Sequence, residues 1–283
     1  MKAVADWLLD KGWRVPLVFV LMAIVPDESG RWLPLIAWIA STAVLALATM
    51  ASGHGRGVQL AFTGALAVAV VGYVMQRVEP GVAYPDLESR LLLWVPALIC
   101  AATVRRSGSL TLGVQTLLLI GLGALAVVFL LTDPYAYWID RELGVDEARV
   151  ATGLFVAAYV GFVAVAVLLA HAGARRADDA SQGAGFSSLA MGQGLAVTSG
   201  VMFLVALAPS ANYFANALLV LAVGFGFQGL AVASAWMEMR GLTGMWAVAL
   251  YAAMLLAIMV TAPLMVGIGY IDNWLHLRRR WES

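Results

Sequence analysis

Charge is scarce in this chain. Asp, Glu, Lys and Arg make up only 12% of its 283 residues and hydrophobic residues 62%, whereas a soluble domain is roughly a quarter charged. Such a surface has to be covered by lipid, which excludes a soluble protein. The few charges balance, with 17 basic and 17 acidic residues. No net field is left to hold nucleic acid or to gather cations. Cysteine is nearly missing. Cys100 stands alone in an apolar run, so a disulfide framework or a Cys-based metal cluster within the chain is excluded and packing is its role. The three histidines, His54, His171 and His276, fall near helix ends with no acidic or Cys partner at ligand spacing, so there is no metal signature. No Gly-x-Ser-x-Gly elbow occurs. Charges are also missing from the centres of the apolar runs, where proton-coupled carriers and pumps need them. The expectation is a non-enzymatic protein without cofactor or metal.

What the chain does have is length without charge. Residues 107–132, 150–170 and 180–237 contain no Asp, Glu, Lys or Arg, and each run can cross a ~30 Å hydrocarbon layer as a helix. Apolar segments fall at about 32–52, 57–76, 90–104, 109–132, 150–171, 187–208, 213–237 and 244–270. Backbone groups in lipid must be satisfied internally, and no alternating β-barrel pattern is present. The fold class predicted is all-α: a polytopic transmembrane bundle of about eight or nine segments in a single integral membrane domain, 1–283. Residues 3–25 read either as the ninth span, beginning near Ala3, or as an interfacial helix. Asp6 and Asp10 and the lack of a small-x-small site argue against a cleaved signal. The hydrophilic stretch Thr132 to Arg149, with Tyr135, Tyr137 and Trp138, reads as a short helix on the membrane surface beside an aromatic belt.

Orientation is less decided. Alternating the loops puts Lys2, Lys11, Arg14, Arg56, Arg105, Arg106, Arg175, Arg176 and Arg240 on one side, expected to be cytoplasmic. Arg31, Arg77, Arg90, Arg141, Arg149 and the tail Arg278-Arg279-Arg280 fall on the other. The tail contradicts the assignment unless a segment fails to cross, for example by re-entry around Pro263, Gly267 and Gly269.

Polar side chains inside apolar runs are the candidate site residues, because an amide in hydrocarbon needs a partner. Gln193, Asn216 and Gln228 lie in consecutive segments. The first reading is hydrogen bonding between helices. The second is a polar ligand-binding pocket for an uncharged or zwitterionic molecule, lined by Gln193, Asn216, Gln228, Trp236 and Tyr251. Gly224-Phe225-Gly226-Phe227-Gln228-Gly229 has the spacing of a dinucleotide fingerprint but lies inside a helix. Its glycines read instead as close helix approaches, as do Gly192 and Gly194, Gly121 and Gly123, and the row Ala61, Ala65, Ala69. Glu238 and Arg240 read as a surface pair.

In the C-terminal third, Phe186-Ser187-Ser188-Leu189-Ala190-Met191-Gly192 precedes Asn216-Ala217-Leu218-Leu219 and then Phe227-Gln228-Gly229-Leu230-Ala231-Val232. The chain closes on Gly269-Tyr270-Ile271-Asp272-Asn273-Trp274-Leu275-His276-Leu277-Arg278-Arg279-Arg280. This order resembles the YybS-like family of bacterial inner-membrane proteins, whose members end in Gly-x-x-Asp-x-Trp-x-x-x-Arg. It covers residues 180–280, and residues 1–180 match only as hydrophobic periodicity. The resemblance implies a multi-pass bacterial inner-membrane protein, distantly like the substrate-binding components of energy-coupling-factor vitamin transporters. Those have six segments, and this chain has more. Asp272, Trp274 and Arg278 carry the motif and read as a cap or interface anchor for the last helix. The leading expectation is a protein that binds or helps transport a small organic solute. The alternative is a membrane scaffold or assembly factor acting on a membrane protein partner through helix faces, and a membrane enzyme comes third. The partners expected are the lipid bilayer and a small-molecule ligand, and no nucleic acid.

Overall fold

The computed structural model describes residues 2–26, 32–78, 87–177, 185–208, 212–242, 249, 251–252 and 256–281. Among these the structure is helical and contains no strand. The helices are α1 (Lys2–Asp10), α2 (Arg14–Ala23), α3 (Leu33–Ser52), α4 (His54–Val78), α5 (Leu87–Ser107), α6 (Leu110–Leu131), α7 (Pro134–Ile139), α8 (Val145–Ala177), α9 (Gln193–Ala206), α10 (Asn212–Met239), α11 (Ile258–Leu275) and α12 (Leu277–Trp281). Seven of them, α3, α4, α5, α6, α8, α10 and α11, are long and apolar enough to cross a membrane. The chain is a multi-pass α-helical membrane protein.

Two expected segments are shorter than predicted. The N-terminal run is not one helix, because Lys11, Gly12 and Trp13 separate α1 from α2. At 1.5 Å per residue, their 9 and 10 residues reach only about 14 and 15 Å each. Arg14 stabilises the break by donating to the Trp7 carbonyl at 2.7 Å. Likewise α9 has 14 residues, about 21 Å. In place of a helix over 244–270, α11 runs from Ile258 to Leu275 and passes Pro263, Gly267 and Gly269 without interruption. Of the expected segment, residues 244–248, 250 and 253–255 lie outside the described residues.

The chain divides into two compact units, residues 1–117 with 161–183 and residues 118–160 with 184–283. In the first, Phe19 of α2 and Trp94 of α5 are fully buried, with ring centroids 4.9 Å apart. The α4 row that packs is Gly57, Leu60, Gly64 and Val68, one register away from the predicted Ala61, Ala65 and Ala69. A Cβ at Gly64 would run into the Phe19 ring. The opposite face of α4 exposes Phe62, Leu66, Val70 and Tyr73. Small residues inside and large apolar ones outside invert the pattern of a soluble helix and suit a lipid-facing one. Arg56 donates to the Gly12 carbonyl at 3.1 Å and Arg105 bonds the Met50 carbonyl. The α1–α2 break, the α3 end and the α5 end, assigned to one side by charge, thus meet at one end of this unit.

In the second unit the tightest contact is between α10 and α11, which run antiparallel. A Cβ on Gly229 would collide with the Met265 carbonyl, and one on Gly269 with the Phe225 carbonyl. Only hydrogen fits at either position, so the two backbones touch, as small residues permit in membrane helix pairs. Gly224 and Gly121 also face neighbours, Leu118 for the first and Val160 for the second. Gly123 and Gly194 face open space. Gly192 does a different job from the one predicted. Its φ of +84° lets the chain turn from the 3-10 turn at Phe186–Ser188 into α9, a conformation that L side chains rarely adopt.

Candidate functional site: a buried polar knot and a cleft

Gln228 sits near the middle of the 28-residue α10 and is fully buried. Both ends of its amide are engaged. The Met191 N–H donates to Oε1 at 2.8 Å. Nε2 donates to Asp272 Oδ2 at 2.9 Å and to Asn273 Oδ1 at 3.3 Å. Asp272, only 4% exposed, also accepts from Arg278 Nη2 at 2.7 Å and, through Oδ1, from the Leu277 N–H at 3.1 Å. Arg278 Nη1 donates to the Ser187 carbonyl at 2.6 Å. A carboxylate held against the middle of a membrane helix would be costly alone. Here it is met by an amide, a guanidinium and a backbone N–H, and these bonds tie together the 185–191 segment, α10, α11 and α12.

This knot joins Gln228, expected as pocket lining, to Asp272 and Arg278 of the closing motif, and adds Asn273. The capping part of the expectation for Asp272 is visible in its bond to Leu277 N–H. The side chain is nevertheless buried against α10, and only Trp274, half exposed, faces outward as an anchor would. His276 ends α11 in the left-handed conformation, φ 50° and ψ 50°.

The other predicted pocket residues do not join it. Gln193 is exposed at the start of α9. Trp236 lies under Arg240, whose guanidinium stands 5.6 Å from the ring centroid; this replaces the expected Glu238–Arg240 pair. Tyr251 bonds the Ser234 hydroxyl. Asn216 lies twelve residues before Gln228 on α10, about 18 Å along the axis. It clamps α10 to α8, accepting from the Gly153 N–H at 2.5 Å and donating to the Arg149 carbonyl at 2.6 Å. Gly153 permits this, since a Cβ there would lie 2.6 Å from Asn216 Cα.

Directly at that clamp the second unit opens into a cleft of about 370 Å³, lined by Phe129, Thr132, Asp133, Tyr135, Arg149 and Tyr213, among others. Three stretches build it. The end of α6 gives Phe129, which meets Tyr213 of α10 edge to face at 5.7 Å. Asp133 caps α7, its Oδ1 accepting from the Tyr135 and Ala136 N–H groups at 3.1 and 3.2 Å, as N-cap acids do before a proline at N1. Arg149 comes from the first turns of α8. Among the described residues it pairs with Asp146 at 3.8 Å, with side chains 47% and 95% exposed, a pair too loose and wet to hold the guanidinium firmly. Thr152 accepts from Trp138 Nε1 at 2.8 Å, which fixes the α7 aromatic end against α8.

Residues 145–149 already belong to α8, and the short helix expected within 132–149 is present as α7. Its role as one wall of a cleft was not foreseen, because Asn212 and Tyr213 lie far along the chain with no spacing to announce them. Among the described residues no three His, Cys, Asp or Glu side chains converge. In comparisons with known proteins, no family model, curated protein or solved structure matches this chain.

Proposed function

We propose that this multi-pass protein binds a small organic solute, as a carrier or a carrier's binding component, and that it is not an enzyme. The observation that carries the reading is the cleft between the α6–α7 corner, α8 and α10. Its volume falls within the roughly 300–1,000 Å³ of small-molecule sites. It combines aromatic residues with a few charged and hydroxyl groups, and Asn216 ties two of its lining residues together by donating to the Arg149 and Asn212 carbonyls. Asn216 and Gln228 are spent on hydrogen bonds inside the fold and Gln193 is exposed, so the site proposed lies at this end of the unit and not around Gln228. The YybS-like order of motifs in residues 180–280 supports the same class of protein and a bacterial inner membrane.

The assembly-factor alternative draws on glycine faces, but the tightest of these, Gly229 with Gly269, is consumed within the chain. The test is a thermal-shift panel of amino acids, nucleosides, sugars and vitamins on the purified protein in lipid nanodiscs. Any stabilising compound should lose its effect in Thr132→Trp, which fills the cleft mouth from an exposed position. Stabilisation that survives the tryptophan would reject the cleft.

A further inference from the structure

We infer that the cleft takes a zwitterion, a molecule carrying an ammonium group and an acid group a few bonds apart. This rests on the solute-binding reading above and names its ligand class. Asp133 and Arg149 line the same space, so the cleft has one residue of each charge in its lining. The two backbone N–H bonds to its Oδ1 hold the Asp133 carboxylate in place on the first turn of α7. The Arg149 guanidinium, 3.8 Å from the solvated Asp146, can exchange that weak pairing for a ligand anion, because exposed pairs contribute little and charge-assisted bonds to a bound acid are stronger.

Phe129, Tyr135 and Tyr213 supply the aromatic surface, and ring faces attract ammonium groups, quaternary ones included. A simple anion would leave the capped Asp133 carboxylate without a cation, a simple cation would leave Arg149 with only its loose Asp146 pair, and a neutral sugar would use neither charge. A ligand with both charges matches the lining. The volume, near the small end for ligand sites, suits an amino acid or a betaine. The same chemistry is present in the headgroup of a zwitterionic phospholipid, and the exposed Tyr137 beside the cleft is a residue of membrane interfaces. The experiment therefore separates a free solute from a lipid.

In nanodiscs of phosphatidylglycerol alone, calorimetry would compare glycine betaine with two partial mimics, choline (cation only) and tert-butylacetate (anion only, same shape). The expected result is betaine binding at least about tenfold tighter than either mimic, the factor given by one charged contact. Asp133→Asn, which keeps an oxygen for the α7 cap, should reduce betaine to the level of the anion mimic. Arg149→Gln should reduce it to the level of choline. If betaine does not bind, native mass spectrometry of protein from phosphatidylethanolamine and phosphatidylcholine discs is the second arm. A retained zwitterionic lipid that both charge variants lose would support the inference with a headgroup as the source.

Equal binding of betaine and its mimics, unchanged in both charge variants but abolished in Thr132→Trp, would overturn the zwitterion and leave the cleft standing. Binding that survives Thr132→Trp would overturn the cleft itself. Absence of both free zwitterion and zwitterionic lipid would also overturn the inference.

Discussion

Asp272 and Arg278 provide the sharpest energetic prediction. Their atoms meet at 2.7 Å with side chains 3% and 18% exposed, so the pair is mostly shielded from water and lipid headgroups. Removing one partner of a buried pair typically costs about 3–5 kcal/mol, because the other charge is left uncompensated. Two features lower that figure here. Arg278 is partly exposed and can swing toward the interface, and Gln228 Nε2 keeps Asn273 Oδ1 when Asp272 is gone. We expect Asp272→Leu to cost about 3 kcal/mol and Arg278→Met about 2 kcal/mol. The double variant should cost about 3 kcal/mol rather than the sum, giving a coupling of about 2 kcal/mol. The assay is reversible unfolding in mixed detergent micelles, followed by far-ultraviolet circular dichroism and by tryptophan emission, to which Trp274 contributes close to the pair. Additive losses within about 0.5 kcal/mol, or a loss below that in Asp272→Leu, would refute the knot as a coupled structural unit.

Gly269→Ala should destabilise by at least about 2 kcal/mol, since its methyl group meets the Phe225 backbone and no side chain can yield. Gly123→Ala, at an open position on α6, should be neutral or slightly stabilising; the same unfolding assay checks both. Gly153→Ala should force α8 away from Asn216 and weaken solute binding more than it weakens the fold, read by comparing ligand affinity with the unfolding midpoint. Asp133→Ala should lose the α7 cap at about 1 kcal/mol, and Asp133→Asn should retain it, measured by hydrogen exchange at the Tyr135 and Ala136 amides.

The class of fold was legible because an uncharged run of some twenty residues has few other uses. The ends of segments were less so. Asp10, Lys11 and Arg14 cluster around Gly12 where α1 gives way to α2, a break that the reading of 3–25 as one segment passed over, and Ile258 starts a helix inside an apolar run that gives no sign of a start. Gln228 was legible as an interior amide and Gly229 as a close approach, since both are local properties of one helix. Their partners were not. Asp272 lies 44 residues from Gln228, and the Met191 N–H lies 37 residues before it. Periodicity fixes which face of a helix points inward but not which residue of another helix it meets. The same reason hid the cleft. The stretch 132–149 read as polar with a short helix, which α7 bears out, while Asn216 was legible as a polar residue in an apolar run but not as the partner of Arg149 and Gly153 on α8.

The most direct measurement is native mass spectrometry of the protein released from native lipid particles, alongside Thr132→Trp. A small molecule at one per chain is expected in the wild type, lost in the variant while the fold remains intact by circular dichroism. A protein without any bound solute or headgroup, or one retained equally by Thr132→Trp, would contradict it.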